Sequence, residues 1–274
     1  MNLPKKIAAI HDISGLGRSS LATAMPILSV MGHQVCPVPT AVLSTITGFY
    51  ENYVLHDLTD IMPGYLGHWK QEGEGFDCVY TGFLASKRQS DIAADFITYA
   101  KPSLTVVDPV FADNGEIYSC FGEDMVAAMR QFIKKADIIT PNITEAAYLL
   151  SAPLVLDSVD AAREYAKRLS DGGSVVITGV RSNKKAIAVI AYDRETDRIY
   201  KIENEYLETH FPGTGDIFAS VLTGALLCDF SLEKGCERAA QFVCKSIKAG
   251  VEGKAPRREG VPFEPLLPTL LEGV

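Results

Sequence analysis

Short apolar runs alternate along this chain with segments of helical period. Runs such as Ile7–Ile10, Val35–Val38 and Ser174–Thr178 are rich in Val and Ile, whereas Gln89–Ala100 and Val159–Leu169 carry apolar residues three and four positions apart. Parallel strands need long crossover connections, and a strand that is covered on both faces is apolar throughout. The alternation therefore predicts an α/β fold, with a mostly parallel central sheet and helices on both faces.

One domain is expected over residues 1–274. The chain has no internal repeat and no Pro-, Gly- or Ser-rich linker long enough to separate two domains. Ala186–Tyr192 and Arg198–Ile202 flank a polar turn, which predicts an antiparallel hairpin. The last helices are predicted at Asp216–Leu227 and Leu232–Gly250, and the Pro-rich tail after them is expected to be irregular.

The balance of charge and hydrophobicity excludes several classes of partner. The formal charge is −8 and no basic run is longer than two residues, so nucleic acid is not an expected ligand. Apolar runs fall short of the roughly 18 residues of a membrane span, and the N-terminus lacks a signal core, so we expect a cytoplasmic protein without a membrane partner. Six cysteines without a C-x-x-C pair predict free thiols rather than disulfides or a zinc site.

The segment His210–Ser220 carries the strongest signal for chemistry. Gly213 and Gly215 bracket Thr214 directly before an apolar helical run, so backbone N–H groups can converge at the positive end of a helix. This arrangement suits a phosphoryl group in transfer, and Asp216 in the first turn could accept a proton from an attacking hydroxyl. A plain glycine turn, with Asp216 favouring the helix dipole, fits the same spacing, and both interpretations stay open.

Polar residues also follow several predicted strands. Asp108 ends one apolar run, Asn142 and Glu145 follow Thr140, and Thr178 closes another strand. Ligands bind outside the carboxyl ends of parallel strands, and a few carboxylates there can hold a hydrated Mg²⁺ ion. Asn142 and Glu145 also have the spacing of a helix capping box, and the two interpretations can hold together.

A glycine-rich turn after the first strand raises a dinucleotide-binding alternative. Gly15 and Gly17 separate a strand from a helix, but the third glycine of that motif is missing and no acidic residue ends the second strand. No G-x-x-x-x-G-K-[ST] sequence is present, which excludes a P-loop. The lone His11 nearby is interpreted as a satisfied core or turn histidine.

Together these motifs resemble those of the vitamin kinases in the ribokinase superfamily. The sequences that carry the resemblance are D-P-V-F-A-D-N-G-E-I-Y (Asp108–Tyr118), D-I-I-T-P-N-I-T-E-A (Asp137–Ala146), V-V-I-T-G (Val175–Gly179) and P-G-T-G-D-I-F-A-S (Pro212–Ser220). Nearly the whole chain is similar to the pyridoxal/pyridoxamine kinases. The resemblance implies a ribokinase-like fold, a homodimer, and phosphorylation of the 5′-hydroxymethyl group of pyridoxal, pyridoxamine or pyridoxine with ATP and Mg²⁺. It leaves the need for a monovalent cation open.

The resemblance also implies a role for each matching residue. Asp216 would be the general base, and the backbone of Gly213, Thr214 and Gly215 would form the anion hole for the γ-phosphate. The residues implied at the nucleotide are Asp108, Thr140, Asn142, Glu145 and Thr178, and those implied on the metal side are Glu145 and Tyr118.

On the substrate side the resemblance is less uniform. Thr47 matches a threonine that faces the pyridine ring, Phe83 stands where the family often has a stacking tyrosine, and Asp12 is expected to bind the ring or its substituents. The turn from Asp12 to Gly15 is closer to hydroxymethylpyrimidine kinases, but Ser44–Thr47 lacks their glutamine, which favours the pyridine substrate. Hydroxymethylpyrimidine kinase, a sugar kinase of this superfamily and a non-catalytic nucleotide or vitamer sensor remain alternatives.

Overall fold

The chain folds around one mixed β-sheet in a computed structural model that describes residues 3–48, 50 and 52–271. In chain order, the strands are β1 (Lys6–Ser14), β2 (Gln34–Leu43), β3 (Leu55–Asp57), β4 (Cys78–Thr81), β5 (Leu104–Val107), β6 (Ala112–Asp113), β7 (Glu116–Ile117), β8 (Ile138–Ile139), β9 (Ser174–Asn183), β10 (Ala186–Asp193) and β11 (Arg198–Glu205). Strands β6 and β7 form a separate two-stranded sheet, and the other strands form the large sheet.

The large sheet has the spatial order β11-β10-β9-β8-β5-β4-β1-β2-β3. The six strands from β9 to β2 run parallel, whereas β10 and β11 at one edge and β3 at the other are antiparallel. The predicted mostly parallel sheet is confirmed, and so is the hairpin, in which Ala186 pairs with Glu205 and Asp193 with Arg198.

Helices cover both faces of the sheet, as predicted. They are α1 (Ser20–Val30), α2 (Met62–Gln71), α3 (Lys87–Ala100), α4 (Glu123–Phe132), α5 (Ile143–Leu150), α6 (Val159–Leu169), α7 (Thr214–Leu227) and α8 (Leu232–Glu252). Buried residues of α2 to α6 share one apolar cluster, and those of α1, α7 and α8 lie in clusters on the other face.

The central strands are buried on both faces because successive side chains point to opposite sides. On β5, Val106 packs toward α1 and α7, whereas Val107 packs into the cluster of α2 to α6. Tyr80 and Val79 on β4 divide in the same way. This explains why these strands are uniformly apolar in sequence.

The structure corrects several predicted bounds. β1 continues past Ile10 to Ser14, because its pairing with β2 resumes after an irregularity between His11 and Ile13. Strand β5 ends at Val107, directly before Asp108. The short strand β3 and helix α2 lie in a region where no element was predicted.

The tail after α8 is not irregular, contrary to the prediction. It forms 3-10 helices at Arg257–Glu259 and Glu264–Leu271. Leu270 is buried and Leu266 packs against the apolar cluster of α7 and α8. Burial of this leucine-rich segment orders the chain despite its prolines.

Two further expectations from the sequence concern membrane-spanning helices and the state of the cysteines. None of the helices in the described ranges combines the length and the apolar composition needed to cross a bilayer. All six cysteines are free, which confirms the predicted thiols.

Candidate active site

The carboxyl ends of five adjacent parallel strands bring the predicted polar residues to one edge of the sheet. Asp12 lies near the end of β1, Asp108 follows β5, Thr140 follows β8 and Thr178 lies on β9. These strands and β4 are neighbours in the order β9-β8-β5-β4-β1. Because they are parallel, their ends face the same side, where open α/β sheets bind ligands.

Helix α7 begins at this edge, and Gly213 allows it to do so. Gly213 has a φ of 82°, and a Cβ there would lie 2.0 Å from the backbone oxygen of Arg18. A Cβ on exposed Gly215 would meet no atom within 4 Å. The backbone of Gly213, Thr214 and Gly215 therefore starts a 14-residue helix whose first N–H groups lack helical partners, with open space beside Gly215.

Asp216 lies in the first turn of α7, as predicted. Burial raises the pKa of its carboxyl to about 7, and the nearby charge of Asp12 adds to the rise. The backbone N–H of Ser20 interacts with the carboxylate and opposes the shift. A carboxyl with this pKa can take up a proton near neutral pH, which is the property required of a general base.

Asp108 extends the same electrostatic group. It is buried at the end of β5, and its pKa lies well above the ordinary value because of burial and of the charges of Glu145 and Asp216. The Thr140 hydroxyl contacts it with poor hydrogen-bond geometry and offsets the shift only weakly. Within the described ranges no lysine or arginine forms an ion pair with Asp108, Glu145 or Asp216.

Glu145 and Asn142 form the capping box that their spacing predicted. Asn142 Oδ1 accepts the Glu145 N–H at 2.9 Å, and Glu145 Oε2 accepts the Asn142 N–H at 2.9 Å. Glu145 Oε1 also accepts the backbone N–H groups of Phe111 at 2.9 Å and Ala112 at 3.4 Å. Glu145 thus ties the start of α5 to the loop after β5, and three of its roughly four acceptor positions are already in use.

Two further nucleotide-side residues flank these carboxylates. The Thr178 N–H donates to the Pro141 oxygen at 3.0 Å, which brings partly exposed Thr178 beside Asn142. Tyr118 follows β7 and is partly exposed, and desolvation of its hydroxyl together with the charges of Glu145 and Asp113 raises its pKa. Both residues therefore lie at the same edge as Asp108 and Glu145.

The residues predicted on the substrate side differ in their surroundings. Asp12 is buried, and burial raises its pKa to about 6. Thr47 is exposed, on the loop after β2, and makes no hydrogen bond to another residue in the described part of the chain. The Phe83 ring packs on that of Phe121, with centroids 5.4 Å apart, so a substrate ring could stack only on its other face.

His11 departs from its interpretation as a satisfied histidine. It is fully buried, its ring meets that of Tyr80 edge-on at 4.3 Å, and a Cβ on Gly82 would lie 2.2 Å from its Nδ1. Burial lowers its pKa to about 3, and a poorly aligned contact with the Tyr80 backbone offsets this only in part. His11 is therefore neutral, and the space it needs explains the glycine at position 82.

Sequence reasoning missed Ser20. Its hydroxyl donates to Asp12 Oδ1 at 2.5 Å, while its backbone N–H interacts with Asp216. A serine pair at a predicted helix start normally indicates capping, so no sequence signal separates this role from an ordinary cap.

Comparisons with known proteins agree with this architecture. The sequence profile of the phosphomethylpyrimidine kinase family matches residues 71–258. A Bacteroides thetaiotaomicron structure described as a phosphomethylpyrimidine kinase, solved with pyridoxal, is 47% identical with a TM-score of 0.93, covering 97% of this chain and 96% of that chain. The pyridoxal kinase of Lactobacillus plantarum is 31% identical with a TM-score of 0.91, over 97% and 96%.

A sequence relative extends the comparison. The pyridoxine kinase of Bacillus subtilis is 29% identical over 245 residues, which cover 86% of this chain and 80% of that protein. The similarity to solved pyridoxal kinases confirms the expected ribokinase-like fold. Because the family profile covers more than half of the chain, the chain belongs to the phosphomethylpyrimidine kinase family, and pyridoxal kinases are among its relatives.

Proposed function

We propose that this protein transfers the γ-phosphate of ATP to the 5′-hydroxymethyl group of a B6 vitamer: pyridoxal, pyridoxamine or pyridoxine. The observation that carries the proposal is the start of α7, where Asp216, with a pKa raised to about 7, follows the open backbone at Gly215. The names of the relatives, pyridoxal kinase and pyridoxine kinase, support the same activity. Phosphoryl transfer asks for positioning and charge stabilisation, and this edge of the sheet offers both.

Asp216 acts as the base in this proposal. The vitamer hydroxyl gives its proton to the Asp216 carboxylate as its oxygen forms a bond to the γ-phosphorus, and the bond from that phosphorus to the β,γ-bridging oxygen breaks. ADP leaves with the bridging oxygen. The first N–H groups of α7, at Gly213, Thr214 and Gly215, stabilise the charge on the transferring group.

Asp108, Glu145, Thr140, Asn142 and Thr178 form the nucleotide side. The repulsion of Asp108 by Glu145 and Asp216 supports a cation there, although among the described residues no group of three His, Cys, Asp or Glu side chains has the arrangement of a metal site. Mg²⁺ fits such a site because it needs only one or two carboxylates besides phosphate oxygens and water. Asp108 and Glu145 would hold it, with Tyr118 beside them, and it would neutralise phosphate charge.

The pyridine substrate is the main candidate, with Asp12 and Thr47 as ring contacts and Phe83 as a wall. The second candidate is hydroxymethylpyrimidine, which is favoured by the description of the matching family. The loop Ser44–Thr47 has no glutamine to pair with an aminopyrimidine edge, which supports the vitamer.

The proposal includes a homodimer in the cytoplasm. Free thiols are typical of a reducing compartment. The edge strand β3 is exposed, and apolar Val54 and Ile61 beside it are 70% and 53% exposed. An apolar sheet edge of this kind supports pairing with a second copy.

ADP release should be measured with ATP, Mg²⁺ and each of four acceptors: pyridoxal, pyridoxamine, pyridoxine and hydroxymethylpyrimidine. We expect kcat/KM for at least one B6 vitamer to exceed that for hydroxymethylpyrimidine by about 10²-fold or more, since a polar mismatch in the pocket is costly. Preference for hydroxymethylpyrimidine would replace the proposed substrate. Calorimetric binding of a vitamer and ATP without ADP release would instead indicate a sensor.

A further inference from the structure

Ser20 stands at an unusual point in the fold. It is the first residue of α1 and has a φ of 50°, in the left-handed region that L-residues other than Asn and Asp seldom adopt. Its side chain is buried. A strained residue of this kind persists only where its surroundings hold it, and such residues concentrate at functional sites.

The hydroxyl groups at this helix start do not serve the helix. Ser19, in the N-cap position, makes no side-chain capping bond, and the Ser20 hydroxyl donates to Asp12 Oδ1 at 2.5 Å. Helix α1 therefore gives up the capping contact that a serine ordinarily supplies. The Ser20 hydroxyl is committed to a carboxylate of the neighbouring strand instead.

The backbone of the same residue serves a second carboxylate. The Ser20 N–H interacts with Asp216 and stabilises its charged form, while the charges of Asp12 and Asp216 repel each other. One residue thus contacts both members of a repelling pair: its hydroxyl donates to Asp12 in a hydrogen bond, and its backbone N–H makes a weaker electrostatic contact with Asp216. The hydroxyl and the N–H belong to one residue, whose backbone is held in the left-handed conformation. The two contacts therefore constrain the separation of the Asp12 and Asp216 carboxylates.

We propose that Ser20 is a positioning residue for phosphoryl transfer, which holds Asp12 and Asp216 at a set separation so that a ring bound at Asp12 presents its hydroxymethyl group to Asp216. This inference rests on the proposed function. Positioning of this kind matters because small displacements from an in-line geometry reduce the rate sharply. The roles of Asp12 and Asp216 then depend on a residue that acts through both carboxylates.

The electrostatic surroundings allow the effect to be read from titration. Besides Asp12, the titratable groups that interact with Asp216 are Tyr80 on β4, Asp108 after β5 and Tyr118 after β7, and the neutral His11 precedes Asp12 on β1. Arg18 is paired with Glu264 at 2.6 Å. The Ser20 hydroxyl stabilises the charged form of Asp12, so its removal should raise the pKa of Asp12 above about 6.

The test compares Ser20→Ala and Ser20→Gly with the wild type, and Ser19→Ala serves as the matched control. Among the described residues, the one hydrogen bond of Ser19 Oγ is to Ser14 Oγ, at 3.5 Å. Ser20→Gly also removes the left-handed strain, so the hydroxyl can be tested even where the alanine variant folds poorly. Carboxyl ¹³C NMR titration would follow Asp12, and steady-state kinetics from pH 5.5 to 8.5 would follow KM and kcat.

We expect both Ser20 variants to raise the apparent pKa of Asp12 by about one unit and KM for pyridoxal near pH 6.5 by about tenfold. KM for ATP should stay within about twofold, because the nucleotide side is untouched, and Ser19→Ala should match the wild type. Wild-type titration and wild-type KM in both Ser20 variants would overturn the inference, as would equal effects from Ser19→Ala. An inactive wild type would reject the proposed function instead, and the titration shift would still report on the Ser20 contact.

Discussion

The carboxyl of Asp216 shows how a common residue obtains an uncommon property from its place in the fold. Burial and the charge of Asp12 raise its pKa to about 7, while the start of α7 and the Ser20 N–H oppose that rise. An aspartate in water would be a much weaker base. The value near neutrality matches the proposed proton transfer, for which the best catalytic pKa lies close to the working pH.

A prediction at the residue scale concerns the pH dependence of turnover. Asp216 must be ionised to accept a proton, so kcat/KM should be constant above the pKa and fall tenfold per pH unit as pH drops below about 7. Steady-state assays between pH 5 and 9 would measure this limb. Asp216→Asn should lower turnover by about 10²–10⁴-fold with little change in nucleotide affinity. A variant that retains most of its turnover would remove Asp216 from the mechanism.

At the scale of elements, the start of α7 depends on packing against the loop between β1 and α1. The virtual Cβ of Gly213 collides with the Arg18 oxygen, and Arg18 is held from its other side by Glu259, whose oxygen accepts the Arg18 N–H at 3.0 Å. Gly260 also packs against Arg18, because a Cβ at this position would lie 2.9 Å from the Arg18 oxygen. The C-terminal 3-10 helices therefore support the loop against which the proposed anion hole packs.

The glycines of this helix start should respond differently to the same substitution. Gly213→Ala places a methyl group 2.0 Å from backbone and keeps a φ of 82°, so we expect a loss of stability of about 2 kcal/mol or more. Gly215→Ala meets open space and should leave the unfolding midpoint near wild type, while lowering kcat by hindering the γ-phosphate. Thermal unfolding and ADP release would separate the two. Equal loss of stability in both variants would contradict this account.

At the scale of the whole molecule, the carboxylates of the proposed active site lower the stability of the folded protein at neutral pH. Asp12, Asp108, Glu145 and Asp216 are titratable groups whose pKa values are all raised, mainly by burial. A folded state that binds protons more tightly than the unfolded chain loses stability as pH rises from the unfolded pKa through the folded one. The acidic cluster is thus a cost at neutral pH that a cation or ligand would offset. We further propose that the chain unfolds as one domain, since its nine-stranded sheet joins the N- and C-terminal halves.

Asp108→Asn should therefore stabilise the protein, and more so at high pH. Its raised pKa means that the wild-type penalty is absent at low pH and fully present above the folded pKa. Calorimetry with a metal chelator should show a single transition and a rise in Tm of about 2–4 °C at pH 8, and a smaller rise at pH 5. The exposed Asp160→Asn serves as control, because its side chain is 93% exposed. A Tm gain independent of pH would contradict the electrostatic explanation.

Much of this structure follows from local patterns in the chain. The apolar runs and helical periods predict the parallel sheet and the helices on both faces, because periodicity reports which faces are buried. Asn142 and Glu145 predict their own capping box through a spacing of three, and the Gly213–Asp216 segment predicts a helix start. These features depend on neighbours in sequence.

Other features exist only through contacts between distant segments. The irregularity in β1 at Asp12, the ordered tail at Glu264–Leu271 and the left-handed Ser20 have no local signature, because each is set by elements far away in the chain. The raised pKa of Asp216 belongs to this class, since burial and the charge of Asp12 arise only when α7 packs beside β1. Sequence thus determined most of the elements and candidate residues, and tertiary packing decided their electrostatics, because desolvation and repulsion act through space.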